Sequence, residues 1–181
     1  EKEIEMVYLA SCFNQNRGVL TVCQVIEGML SREDIDIPGI EDGIRRALRE
    51  NDIFAFAEAN VAPDFVKGAI DIAQINGVGS LRANTVMFGW PNKTEKLVSM
   101  LIIIRTIEKI GKSSLIIRAS DLKKLQLKPR IDIWWRGLEN NGDLMLLLAH
   151  LLRMNPAWEK AGIVLRSVVK DVDEKGKMEE S

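Results

Sequence analysis

Histidine, cysteine and tyrosine are scarce in this chain, at one, two and one among 181 residues. His150 stands alone inside an apolar stretch, whereas a zinc site or a nucleophilic triad needs several converging groups. It reads as a histidine satisfied at a helix surface or core edge. Cys12 and Cys23 have no C-x-x-C spacing and sit among apolar neighbours, one on a helix and one in a strand. Buried, reduced thiols are expected, not a disulfide framework. Charge of one sign is also lacking. A formal net charge of −1 gives no electrostatic case for nucleic acid, and no Lys/Arg block suggests an anionic membrane surface. Apolar runs are short. Residues 97–104 (L-V-S-M-L-I-I-I) stop at Arg105 and residues 144–152 (L-M-L-L-L-A-H-L-L) stop at Arg153. Both fall far below the ~20 residues of a membrane span and read as buried core helices. Glu1-Lys2-Glu3 does not open a signal peptide, so a soluble piece is expected.

What is present is ordinary globular composition, 46% apolar and 28% charged. The length suits one domain with a real core, here residues 1–169. Residues 170–181 (K-D-V-D-E-K-G-K-M-E-E-S) carry little apolar surface and are expected to be a frayed or truncated tail. Met6, Leu9, Ala10 and Phe13 have helical spacing, stopped at Asn16-Arg17-Gly18. Residues 19–26 read as a strand buried on both faces. Residues 31–39 read as an acidic loop closed by Pro38-Gly39, before a helix over 40–49 with Ile44, Ala47 and Leu48 inward. A strand follows at 53–61, with Pro63 starting the next helix. Residues 84–89 form a strand, and Thr94 caps a helix running to Ile110 that Gly111 ends. Strands are expected at 114–119, 131–136 and 163–169. Between them lie a short helix or turn at 121–127 and a helix capped by Asp143. Alternation at this spacing predicts an α/β fold, a mainly parallel sheet with helices on both faces.

Residues 76–91, N-G-V-G-S-L-R-A-N-T-V-M-F-G-W-P, hold a glycine pair that invites a phosphate-loop reading. A dinucleotide fingerprint runs strand, glycines, helix. Here the order is reversed. A helix over 64–75, with Phe65, Ala69, Ile72 and Ala73 on one side, precedes Gly77 and Gly79, and a strand follows. The glycines therefore end a helix and turn the chain into a strand.

Other chemistry is thin. Glu33, Asp34, Asp36, Glu41 and Asp42 read as one acidic surface loop, and Asp132 as facing a loop or helix end. The carboxyl-edge crevice of a parallel sheet would be lined by Glu27-Gly28, Asn60, Gly89-Trp90, Ser120-Asp121 and Gly137. It offers small and polar residues but no Walker lysine. Gly28, Asn60, Gly89, Ser120 and Asp121 stay as weak nucleotide-site candidates. Trp134 and Trp135, neighbours in a strand, point to opposite faces and are each expected to pack under a helix. Trp158 is the better candidate for a partly exposed contact.

Two segments resemble a known family. Residues 76–91 are similar to the G-L-G-G-M-K-x-N-T-V-x-x-G-[WF] segment of the cytosolic C-terminal domain of cation-chloride cotransporters. The match runs through Gly77, Gly79, Asn84, Thr85, Val86, Gly89, Trp90 and Pro91. Ser80 stands where the family often has another glycine, and Leu81-Arg82 stand for Met-Lys. The second segment joins Ile131-Asp132-Ile133-Trp134-Trp135 to Asn141-Gly142-Asp143-Leu144 and an apolar helix. It resembles I-D-V-W-W…D-G-G-L-x-L-L-x-x-L-L, with Asp143 in place of the second glycine and Asn140-Asn141 in place of acidic residues.

The resemblance implies a Rossmann-like, universal-stress-protein-related fold and a non-catalytic regulatory role in a symporter moving Na⁺ and/or K⁺ with Cl⁻. It implies a homodimer joined to a transmembrane domain, at the cytoplasmic face of the cell membrane. Transport residues would lie in that transmembrane part, and neither metal nor cofactor is implied. Compactness and the absence of Ser/Thr-rich stretches point to a prokaryotic member. The family domain continues past this C-terminus, so residues from Lys170 onward read as a break between two halves. The alternative is a soluble nucleotide-binding sensor of the universal-stress-protein type.

Overall fold

A computed structural model describes residues 2–31, 34–78, 80–118, 130–135 and 141–168. The chain divides into two compact units, Glu1–Leu122 and Lys123–Ser181. The first holds α1 (Lys2–Asn14), β1 (Thr21–Glu27), α2 (Ile37–Glu50), β2 (Phe56–Ala62), α3 (Phe65–Ile75), β3 (Gly77–Val78), β4 (Leu81–Arg82), β5 (Thr85–Gly89), α4 (Thr94–Lys109) and β6 (Ser113–Ile117). The second holds β7 (Arg130–Trp134), α5 (Gly142–Arg153) and β8 (Gly162–Arg166). The protein is thus mixed α/β. Strands β1–β2, β5–β6 and β7–β8 pair in parallel, and β3–β4 form a small antiparallel hairpin. Among the described residues these ladders stay pairwise and do not join into one hydrogen-bonded sheet.

The period-2 alternation of β1 and β2 sends helices to both faces. Thr21 pairs with Phe56 and the register runs on to Glu27 opposite Ala62. One face presents Val22 and Ala57, which join Leu20, Ile44 and Ala55 around buried Val7, Leu48 and Ile53. The other presents Val25 and Ala62 to α3. There Gly68 sits so close that a Cβ would lie 2.6 Å from Val25 Cγ1 and 2.9 Å from the Ala62 Cβ. Only glycine fits that approach without displacement. A second cluster packs Ala69 and Ala73 of α3 on Ile103 and Ile107 of α4, over Val86 and Phe88 of β5.

Several local expectations need correction. The helix after the acidic stretch starts at Ile37, not residue 40, because Pro38 is tolerated in a first turn and Asp36 Oδ1 accepts from the Gly39 N–H at 3.0 Å. Ala47 and Phe65 are exposed, not inward. The sheet covers a narrower arc of each helix than the apolar periodicity spans. Pro63 stands before α3, which begins at Phe65 and is capped by Asp64, its side chain accepting from the Lys67 N–H at 2.9 Å. Lys93 precedes α4 where Thr94 was expected to cap. Asn141 precedes α5, which places Asp143 in its first turn. Gly111 (φ 73°) does end α4. The two apolar runs are only half buried: Val98, Leu101 and Ile102 on α4, and Leu146 and Leu147 on α5, are exposed. Among the described residues no helix is long and apolar enough to cross a membrane.

Candidate functional site

The described carboxyl-edge candidates lie on two separate strand pairs, Gly28 and Asn60 at β1–β2 and Gly89 at β5–β6. The Gly28 N–H donates to the Ala62 carbonyl at 2.9 Å, closing the end of the β1–β2 ladder. Asn60 lies inside β2 opposite Val25, two residues short of the strand end. Gly89 ends β5 and is exposed, with Met6 Sδ of α1 3.8 Å from where its Cβ would be. The Trp90 N–H donates to the Ile117 carbonyl at 2.7 Å and its side chain is exposed. Ser120, Asp121 and Gly137 lie outside the described residues, as do the expected helix or turn at 121–127 and the tail at 170–181.

The glycine segment is a backbone device. After α3 the chain folds into the β3–β4 hairpin before entering β5, an element more than the simple turn expected. At Gly77 a Cβ would run into the Leu81 carbonyl oxygen and stand 2.9 Å from the Arg82 Cα. The hairpin therefore closes only over glycine. Gly79 lies outside the described residues. Asn84 and Thr85 lead into β5, with the Asn84 carbonyl accepting from the Ser113 N–H at 2.9 Å. Arg82 Nη1 donates to the Gln74 carbonyl at 3.2 Å, and Lys112 Nζ donates to the Ala83 carbonyl. Both cations thereby tie the hairpin to the ends of α3 and α4. The open hollow between them, about 530 Å³, is lined by Gln74, Arg82, Ala83, Asn84, Ile110, Gly111 and Lys112. It lies at the amino ends of β5 and β6, opposite the edge where the sequence placed a ligand.

One cluster resembles a nucleophilic site and is built to the opposite effect. Cys23 of β1 and Glu58 of β2 are register partners, with Sγ and Oε2 3.8 Å apart. Asn76 at the end of α3 donates Nδ2 to Glu58 Oε2 at 3.1 Å and to Cys23 Sγ at 3.7 Å. Burial first, then the Glu58 carboxylate, pushes the Cys23 thiol up to about 12. An activated thiolate needs a positive neighbour. The polar partners also correct the expectation that Cys23 sits among apolar groups only.

The acidic residues do not share a loop. Asp36 caps α2, while Glu41 and Asp42 on α2 both bind Arg45, at 2.6 and 2.7 Å. Glu41 Oε1 also accepts from the Ala59 N–H of β2 at 3.2 Å. Glu33 lies outside the described residues. In the second unit, the described partners of Asp132 are two arginines of its own strand pair. Its Oδ1 accepts from Arg166 Nε at 2.7 Å and its Oδ2 from Arg130 Nε at 3.0 Å. Those bonds hold its carboxyl below the usual range, Arg166 contributing most. Trp134 is 63% exposed with the Arg166 guanidinium 6.0 Å from its ring centre, so it does not pack under a helix as expected. Trp135, half-buried, donates its N–H to the Arg166 carbonyl at 2.6 Å. Gly142 is buried at the start of α5, Trp158 is half-buried, and His150 is exposed on α5. Among the described residues no group of His, Cys, Asp and Glu could hold a metal ion.

Sequence reading missed Gly68, Glu58 and Asn76. An isolated glycine within a helical pattern was the available signal for Gly68. The others depend on strand register, which one sequence does not display.

The described architecture is that of an α/β domain whose motif residues shape backbone and strand pairing. The chain matches the sequence profile of solute carrier family 12 over residues 4–106 and belongs to that family. In fold it is similar to the crystal structure of the cytoplasmic domain of a prokaryotic cation chloride cotransporter. The TM-score is 0.54 at 16% identity, over 93% of this chain and 65% of that one. The chain thus spans about two-thirds of that domain's length.

Proposed function

We propose that this chain is a non-catalytic regulatory and dimerisation domain at the cytoplasmic face of a symporter that couples Na⁺ and/or K⁺ to Cl⁻ transport. Membership of solute carrier family 12 is the observation that carries the reading. The likeness in fold to a cotransporter's cytoplasmic domain supports it. The roles of the motif residues support it too, since Gly77, Asp132 and Arg82 are spent on hairpin closure, strand clamping and helix ends. Residues 1–169 act as one domain in this proposal, with the transmembrane part of the same polypeptide and a second copy as partners. The gene upstream of Glu1 tests the reading: roughly twelve apolar spans of ~20 residues are expected, and their absence would sink it.

A further inference from the structure

We propose that the outward stripe of α4 is the surface on which a second copy of this chain docks, antiparallel and about a two-fold axis at Ile102. The inference rests on the dimer reading above and gives it a location. The inner side of α4 is already occupied: Met100, Ile103 and Ile107 are buried, the latter two packed on Ala69 and Ala73 of α3. A helix with one packed face ordinarily turns polar residues outward. Here the outward side carries Val98, Leu101 and Ile102, which are 55%, 48% and 49% exposed.

Spacing and charge specify the occupant. Glu95, Val98, Ile102, Arg105 and Lys109 follow one another at steps of three and four, a single stripe down the helix. The apolar part lies in the middle and opposite charges lie at the ends. Glu95 and Lys109 are fourteen residues apart, about 21 Å at the rise of an α-helix. Laid antiparallel on itself, the stripe sets Ile102 against Ile102 and Val98 beside the aliphatic stem of Arg105. Each Glu95 then meets the Lys109 of the other copy. A parallel arrangement would stack like charges at both ends. Among the described residues no ion pair engages Glu95, Arg105 or Lys109. A contact of this kind is isologous and closes at two copies. A membrane surface is a poorer occupant, since the stripe carries charges of both signs and only two exposed apolar side chains, Val98 and Ile102.

Sedimentation velocity of the 181-residue chain over a wide concentration range, with three variants, provides the test. Ile102→Glu is expected to weaken the dimer on the order of thirtyfold or more. Glu95→Lys alone is expected to weaken it several-fold, and adding Lys109→Glu to restore it. The charge variants lie on exposed positions, so they decide the matter even if Ile102→Glu misfolds. A wild-type dimer that ignores Ile102→Glu and both charge changes would overturn the α4 surface while leaving the dimer reading intact. A wild-type chain that stays monomeric throughout would remove the dimer reading for this chain, and α4 docking with it. Loss without rescue in the Glu95→Lys/Lys109→Glu variant would overturn antiparallel self-docking.

Discussion

Arg166 Nε lies 2.7 Å from Asp132 Oδ1, a bond that crosses from β8 to β7 two residues from their direct partners, Val164 and Trp134. Arg130 takes the other carboxylate oxygen. One acidic residue in a hydrophobic strand thus gathers two guanidinium groups, one of them against the exposed indole of Trp134.

This clamp predicts acid sensitivity of the second unit. The Asp132 carboxyl is depressed in the fold, so its contribution is complete above its unfolded value near pH ~4 and is lost as pH falls through the lower folded value. Thermal melts by tryptophan fluorescence should show Asp132→Asn with a lower midpoint at neutral pH. The variant should also lose part of the wild-type decline on acidification. Equal midpoints at pH 7 would contradict the clamp.

Cys23 is expected to be inert. With its thiol pushed up to about 12, almost none is thiolate at pH 8, so alkylation mapped by peptide mass spectrometry should be slow in the folded protein. Burial is the larger cause, so Glu58→Gln should speed the reaction only in part. The raised value also means a stability contribution that is present below the unfolded thiol value near ~8.5 and lost as pH rises toward the folded one. Rapid labelling at pH 8 in the wild type would overturn this account.

Close backbone approach predicts costly glycine substitutions. Gly68→Ala forces a methyl against Val25 and Ala62 and should cost about 1–3 kcal/mol by overpacking. Gly77→Ala meets the Leu81 carbonyl and should lose about as much. Urea denaturation measures both, and unchanged midpoints would show that the hairpin and α3 can shift cheaply.

Ile103 and Ile107 are fully buried between α4 and its neighbours. Ile103→Ala should cost about 2–5 kcal/mol in urea denaturation, against under 1 for the exposed Ile102→Ala. Comparable losses at both positions would mean the outward stripe is covered within one chain.

The order of helices and strands was legible because the period of apolar residues changes from about two to about 3.6 at each boundary. Strand positions came within one to three residues at the amino ends of β1, β2, β5 and β6. Helix faces were less legible. The apolar spacing of Phe65 and of residues 97–104 marks a hydrophobic side without saying how much of its arc a neighbour covers. Caps failed at Thr94 and Asp143, where several polar residues compete to end one loop. The candidate site was hardest to read, since Asp132–Arg166 and Cys23–Glu58–Asn76 join residues 18 to 53 positions apart. The sequence marks Gly77 as a turn, and only the geometry shows it accommodating the Leu81 carbonyl.

Calorimetry with ATP, ADP and AMP separates the regulatory reading from a nucleotide sensor. The Gly28 N–H spent on the Ala62 carbonyl and the placement of Asn60 within the ladder predict no heat at millimolar nucleotide. Sub-millimolar binding would favour the sensor.

Chloride-dependent rubidium or sodium uptake by cells expressing the whole polypeptide, with and without this domain, bears most directly on the central claim. The account predicts chloride-dependent cation uptake by the whole protein, altered in rate when the domain is removed. Uptake independent of chloride, or identical with the domain deleted, would contradict it.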